Sequence, residues 1–343
     1  MTDESSVTQT LSVGPRPEVD LPCVTGQGLF FVADPHVADV PPGQRLPGYR
    51  EQVLDKLAAC LEEASRREMP LVLLGDLFHW PRDNSNTLLV SLMELFRPHQ
   101  PFVLVGNHDK YQARWTRDVS LAVLREAGVV RLMHEPGPQF VLESPQGRVL
   151  VGATPDGFRL PRGYPGSGKD QAPGPDRSQV DTVVWCTHHN ISFPDFLDRA
   201  GRIRELPGID WLVNGHIHRV QPQVRAGSTL WANPGNITRL TFTRLSRERV
   251  PAAAVWTPGC EELERWPVPH QDFYTVFPRQ EFPPEEQEQQ GESRFLEGLE
   301  RLAMRRSREG TGLKDFLSAN LCGDAPESGL IWDLYQEVVD GDQ

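Results

Sequence analysis

Five apolar runs in this chain end in the same kind of residue. GLFFVA (28–33) runs into Asp34 and His36, and PLVLLG (70–75) into Asp76. PFVLVG (101–106) leads to Asn107, His108 and Asp109. DTVVWCT (181–187) leads to His188 and His189, and IDWLVNG (209–215) to His216 and His218. Short, near-continuous apolar runs read as strands buried on both faces. Helical patterns stand between them, at 48–68 (Val53, Leu54, Leu57, Leu61), 86–97 and 117–127. Strand–helix alternation predicts an α/β layered domain, and an open α/β sheet builds its site beyond the carboxyl ends of its strands. Seven of the ten histidines lie in these motifs or, as His79, beside one, which scattered placement would not produce.

The rest of the chain frames that core. Residues 1–27 are polar and contain proline, and read as a mobile arm. The core is expected over 28–245, with a hairpin at 138–153 and a Pro- and Gly-rich loop at 155–180. Accessory strands follow over 246–277, then an acidic, Pro- and Gln-rich linker at 278–291. Two or three amphipathic helices are expected in the tail, 292–343, around LKDFL and IWDLYQEVV.

Composition removes several classes. No run approaches the ~18 apolar residues of a membrane span, and MTDESSVTQT has neither the basic nor the apolar segment of a secretory signal. The expectation is a soluble, cytoplasmic protein with no membrane partner. The five cysteines are widely spaced and never paired as CxxC, which argues against a disulfide framework or a thiolate zinc site. The net charge of −12 argues against nonspecific coating of nucleic acid. It is unevenly spread: residues 199–250 hold nine Arg against three acids, and 281–343 hold fifteen acids against six bases. A local phosphate-binding face therefore stays open, with Arg219 and Arg239 as its best candidates. The four-to-thirty-one ratio of Lys to Arg reads as coding bias.

Imidazole and carboxylate together suit Mn, Fe or Zn rather than Ca. One ion takes roughly four to six ligands, so this many candidates imply two ions, and two ions roughly 3.5–4 Å apart share a bridging ligand. Asp76, alone at its strand end, is the bridging candidate.

The ordered set Asp34-Pro-His36, Gly75-Asp76, Gly106-Asn107-His108-Asp109, His188 and Gly215-His216-Ile-His218 resembles the signature of the calcineurin-like metallophosphoesterase superfamily. The resemblance implies a four-layer α/β/β/α sandwich with, here, a small C-terminal helical extension. It implies two divalent ions, Mn first, with Fe or Zn as alternatives. Asp34, His36, Asp76 and His218 would hold one ion, and Asp76, Asn107, His188 and His216 the other. His108 would protonate or orient the scissile phosphate, and Asp109 would orient His108. The reaction is metal-assisted phosphoester hydrolysis, in which a metal-bridging hydroxide attacks phosphorus in line with the leaving oxygen.

Within that superfamily GDLFHWPRDNSNTLL (75–89) resembles the SbcD-type DNA-repair nuclease subunit in its short, phage-like form. In that group the residue matching His79 helps position the DNA phosphate. The resemblance implies a Mn-dependent DNA exo- or endonuclease acting on ends or single strands. It also implies an SMC-like ATPase partner docked through the C-terminal helices, and a homodimer. The alternative is a phosphatase or nucleotide phosphodiesterase acting on a small molecule or phosphoprotein. A third reading, from a different class, is a non-catalytic interaction module. A narrow, lidded pocket favours the alternative, and an open groove lined by Arg favours the nuclease.

Overall fold

The computed structural model describes residues 21–282, other than 113, 166–173 and 197–200, together with residue 331. The helical tail expected at 292–343, its docking role, most of the linker and most of the N-terminal arm lie outside the described residues.

Two stacked sheets form the frame. One contains β2 (Leu29–Val32), β3 (Leu71–Leu73), β4 (Phe102–Leu104), β5 (Arg131–Met133), β14 (Ala252–Trp256) and β15 (Glu264–Pro267), in the order β15-β14-β2-β3-β4-β5. The other contains β1 (Cys23–Thr25), β6 (Gly137–Ser144), β7 (Gly147–Thr154), β8 (Thr182–Thr187), β11 (Trp211–Asn214), β12 (Gln221–Ala226) and β13 (Thr229–Asn233). Its order is β1-β6-β7-β8-β11-β13-β12. Strands β2 to β5 are parallel, as are β7, β8, β11 and β13, so the site-bearing strands of each sheet end on one side.

Side-chain alternation explains why these runs are apolar throughout. Leu29, Phe31 and Ala33 point between the sheets, whereas Phe30 and Val32 point outward to helices α1 (Tyr49–Arg66), α2 (Asn86–Phe96) and α3 (Ser120–Glu126). In β8, Val184 and Cys186 face the inter-sheet core, and Val183 and Trp185 face the opposite surface. Each large side chain buried this way contributes roughly 1.5–3 kcal/mol. Helix α2 starts where Ser85 accepts the Leu88 N–H at 3.1 Å, an ordinary N-cap.

The α/β sandwich expected from the sequence is the architecture observed. Helices cover the outer face of the six-stranded sheet. The described cover of the other outer face is a short 3₁₀ turn (Arg177–Gln179), the two-stranded ribbon β9 (Ile191–Ser192) with β10 (Gly201–Arg202), and apolar loop residues such as Tyr164 and Leu206.

Two differences from the sequence expectation have physical causes. Residues 23–25, within the expected arm, pair in parallel with β6, because an edge strand is held by main-chain bonds and needs no apolar pattern. Strand β14 is not peripheral: it pairs antiparallel with β2, and its Trp256 is fully buried between the sheets. Short helices α4 (Arg244–Glu248) and α5 (Phe273–Val276) flank it. Among the described residues no helix is long and apolar enough to cross a membrane.

Candidate metal centre

The strand ends converge because the chain bends sharply after each strand. Among the described residues six non-glycine residues adopt positive φ, and four of them are site candidates: Asp34 (47°), His36 (52°), Asp76 (51°) and His216 (71°). Left-handed backbone at bulky residues is costly and persists only where the surroundings impose it, as they commonly do at functional sites. Gly75 (φ 100°) makes the matching turn beside Asp76, and a Cβ there would lie 2.3 Å from His188 Nδ1. At Gly106 a Cβ would lie 2.1 Å from Asp76 Oδ1. Both glycines are therefore required by close approach.

Donor atoms of Asp34, His36, Asp76 and His218 all lie within 4.8 Å of one another, as do those of Asp76, His188 and His216. Asp76 belongs to both groups. His36 Nε2 is 3.0 Å from His218 Nε2 and 3.6 Å from Asp76 Oδ2. His188 Nε2 is 3.2 Å from Asp76 Oδ2. Asn107 Oδ1 lies 3.1 Å from His188 Nε2 and 2.8 Å from His216 Nδ1. The seven residues expected to hold metal are thus brought together, and donor atoms of His36, His79 and His108 form a further group within the same limit.

The surroundings orient these side chains. His188 Nδ1 donates to the Leu74 carbonyl at 2.7 Å, which turns Nε2 toward Asp76 Oδ2; burial opposes protonation of this ring, but the Asp76 and Asp34 carboxylates raise it to about 10. The Tyr49 hydroxyl donates to the His36 carbonyl at 2.6 Å, and the His216 N–H to Asp34 Oδ1 at 3.0 Å. Burial holds His216 and His218 neutral, pulling each to about 3, and keeps His36 well below its ordinary range. Neutral imidazole is the form that binds a cation. Burial opposes ionisation of Asp76, but His188 and His108 beside it keep its carboxyl well below the usual range. Asp34 goes the other way: burial, with Asp76 nearby, lifts it to about 7. Its Oδ2 is buried with no hydrogen-bond partner. A buried carboxylate oxygen with no partner, beside the neutral rings of His36, His216 and His218 and a His188 ring charged by the carboxylates themselves, fits a pair of divalent cations that would take that proton's place, and Asp34, His36, Asp76, Asn107, His188, His216 and His218 are the residues that would hold them.

His108 and His79 sit beside this cluster. The rings stack with centroids 5.3 Å apart, and His79 Nδ1 is 3.4 Å from His36 Nδ1. The His108 ring donates from Nδ1 to the His79 carbonyl at 2.9 Å. This corrects the expected role of Asp109. Its carboxylate is turned to backbone, accepting from Phe78 N at 3.2 Å and Gly106 N at 3.0 Å, so it shapes the loop and the His79 carbonyl orients His108.

The cluster forms one wall of a cavity of about 650 Å³. Phe196, Ile217, Leu240, Leu245 and Val250 give that cavity an apolar side. Arg219 lines it and holds Asp195, donating to its carbonyl at 3.0 Å. Arg239 does not line it, which corrects its assignment as a phosphate contact at this centre. Its guanidinium is buried and donates to the carbonyls of Ser246, Gln271 and Arg249, at 3.0, 3.1 and 2.7 Å, cross-linking the chain. Among the described residues, none of the 155–180 loop lines this cavity.

Three features were missed from the sequence. Arg249 lines the cavity and donates to the carbonyl of the His218 ligand candidate at 2.6 Å. Asn214 accepts from Thr187 Oγ1 at 2.8 Å and donates to Asn233 Oδ1 at 3.0 Å, joining the ends of the site-bearing strands β8 and β11 to that of β13. Its polar residue at the end of an apolar run was a readable signal. The half-buried Lys110–Asp156 pair, at 2.6 Å, left none, because its partners lie in separate loops.

A family model described as calcineurin-like phosphoesterase matches residues 29–220. No curated protein matches the chain. Among solved structures, similarity extends to the sulfate thiohydrolase SoxB of Thermus thermophilus, with 13% identity, a TM-score of 0.37, and coverage of 74% of this chain and 57% of that one. A 5'-nucleotidase precursor, also from Thermus thermophilus, shows 14% identity and a TM-score of 0.41, over 72% of this chain and 56% of that one. The Haemophilus influenzae NAD nucleotidase shows 10% identity and a TM-score of 0.42, over 91% and 60%. The chain thus spans less than two thirds of each of these three proteins.

Proposed function

The chain belongs to the calcineurin-like phosphoesterase family, and from that premise we propose that it hydrolyses a phosphate ester of nucleotide size at a two-metal centre. The cavity carries this reading. Its volume of about 650 Å³ lies within the roughly 300–1,000 Å³ of small-molecule sites. It sets an apolar wall opposite the histidine wall, which suits a ligand with one apolar and one anionic end. A nucleic-acid strand instead requires several cations free to neutralise successive phosphates. Here Arg249 and Arg265 donate to main-chain carbonyls and Arg219 is held by Asp195.

Divalent cations, when bound, supply Lewis-acid polarisation of the phosphoryl oxygens and make water acidic enough to attack near neutral pH. The chain's own residues supply position and proton handling. Asp76 Oδ1 accepts the His108 N–H at 2.8 Å, tying the two histidine-bearing loops together. The His79 carbonyl fixes the His108 ring through Nδ1, which leaves Nε2 as the atom that holds or gives a proton. Buried His79 and the adjoining Trp80, in edge contact at 4.6 Å between centroids, back that ring and keep water from behind it.

A second reading, cleavage of DNA strands, is favoured by one observation. His79, the residue singled out by the resemblance to SbcD-type nucleases, stands directly beside His108. An SMC-like ATPase partner, a homodimer and Mn as the working metal belong to that reading.

The test is hydrolysis of p-nitrophenyl phosphate, its bis-ester, nucleoside phosphates and end-labelled DNA, with Mn, Fe or Zn supplied and the Asp76→Asn protein as control. Turnover of small esters with DNA intact supports the first reading. DNA cleavage lost in the Asp76→Asn protein establishes the second.

A further inference from the structure

A second cavity, of about 280 Å³, lies behind the wall of the first. Its lining includes Arg45, Lys56 and Arg239, whose relative exposures are 7%, 7% and 6%. Among the described residues none of the three forms an ion pair with a carboxylate. Asp55 reaches the lining only from an exposed position, and Asp272, also exposed, acts on Arg239 from outside the lining. Lys56 Nζ makes one bond, to the Ile237 carbonyl at 2.9 Å, although an ammonium has three protons to give. Arg45 donates from Nη1 to the Arg239 carbonyl at 2.8 Å and from Nη2 to Gln52, and its Nε is buried with no acceptor. The Tyr49 and Phe277 rings lie 4.9 and 5.2 Å from the Arg45 guanidinium carbon and hold it in place. Burial, with Arg45 and Arg239 beside it, pulls the Lys56 ammonium down to about 7.

Buried charges are ordinarily paired, and three converging cations with unused donors are unfavourable unless an anion joins them. Guanidinium and ammonium groups together match the oxygens of phosphate. We propose that this cavity is a binding site for a small oxyanion of the phosphate class, free or as the phosphate group of an ester, distinct from the metal centre. The proposal stands independently of the reaction assigned to that centre. The site also touches the first cavity through shared walls. Pro42 and Gly43 line the first cavity and Arg45 the second, while Asn236 and Leu240 line the first and Arg239 the second.

The test is thermal unfolding of the full chain in rising inorganic phosphate, with sodium chloride holding ionic strength constant. Wild type, Asp76→Asn, Lys56→Met and Arg45→Gln are compared. The proposal expects stabilisation in wild type and in Asp76→Asn, with apparent affinity roughly tenfold or more weaker in Lys56→Met and Arg45→Gln, the scale of one charge-assisted hydrogen bond. Equal stabilisation in Lys56→Met, or none beyond chloride in wild type, overturns it. Should those variants fail to fold, equilibrium dialysis of labelled phosphate against chelator-treated Asp76→Asn protein decides: one bound equivalent supports the site and none overturns it. Displacement of the label by glycerol 3-phosphate makes an ester an occupant too, whereas resistance to displacement restricts the site to free phosphate; both support the oxyanion site.

Discussion

His36 Nε2 and His218 Nε2 lie 3.0 Å apart although 182 residues separate them in the chain. At that distance the two rings either share one proton in an N–H···N hydrogen bond or direct both lone pairs at a common partner, and the unpartnered Asp34 Oδ2 buried in the same cluster favours the second. Adding Mn, Zn or Fe(II) to chelator-treated protein is therefore expected to raise the unfolding midpoint. A ligand at a hundredfold excess over its Kd adds about 2.7 kcal/mol. A midpoint indifferent to all three metals would sink the assignment of this cluster.

Asp76 lies in both donor groups, so its charge serves two ions at once. Asp76→Asn is expected to abolish hydrolysis and to weaken binding of both metals, read as a lower metal-to-protein ratio by elemental analysis. Wild-type turnover in this variant would show that Asp76 does not bridge.

His108 presents a different expectation, because its ring is held by a carbonyl and not by the carboxylate cluster. His108→Ala is expected to keep both metals and lose roughly 10²–10⁴ in kcat, the range for general acid–base catalysis. A loss of metal at unchanged kcat per loaded site would make His108 a ligand instead.

The strand-end residues were legible because strands buried on both faces leave a plain apolar signal, and the polar residues that interrupt it stand out. Their pairing in space was legible only through the resemblance of the ordered motifs, since no spacing in the chain states that His36 meets His218. Asp109 and Arg239 were misassigned for one shared reason. Which atom a side chain reaches depends on the path of a loop, and in both cases main-chain groups compete for it: N–H groups for Asp109 and carbonyls for Arg239. Strand β1 left no signal because main-chain pairing at a sheet edge is indifferent to side-chain pattern.

Gly75 tests how tightly the turn after β3 is constrained. Its φ of 100°, and the 2.3 Å that would separate an added Cβ from His188 Nδ1, leave no room for a side chain. Gly75→Ala is expected to cost about 1–3 kcal/mol from backbone strain. It should also reduce activity, by displacing the His188 ring from the Leu74 carbonyl. Urea unfolding and steady-state kinetics on the same preparation check both; an unfolding midpoint and kcat equal to wild type would mean the turn relaxes freely.

Lys56 gives the pH dependence. Its folded-state value is drawn to about 7, below the ~10.4 of an unfolded lysine. Between those values the unfolded chain holds a proton that the folded chain lacks, so stability rises with pH across that window and falls as pH drops toward 7. The charged or titratable groups around Lys56 are Arg45, Arg239, Arg249, Cys60 on its own helix, Asp55 and His270 in the cavity lining, and Asp272 acting on Arg239. Burial lowers Arg45 as well, to about 10, which touches only the top of the window, and burial pushes the Cys60 thiol above it. Thermal unfolding from pH 7 to pH 9.5 is expected to show a rising midpoint in wild type and a flatter one in Lys56→Met. Saturating phosphate should flatten the wild-type slope as well, because an oxyanion beside the ammonium keeps it charged in the folded state. Identical slopes in wild type and Lys56→Met would place the titrating group elsewhere.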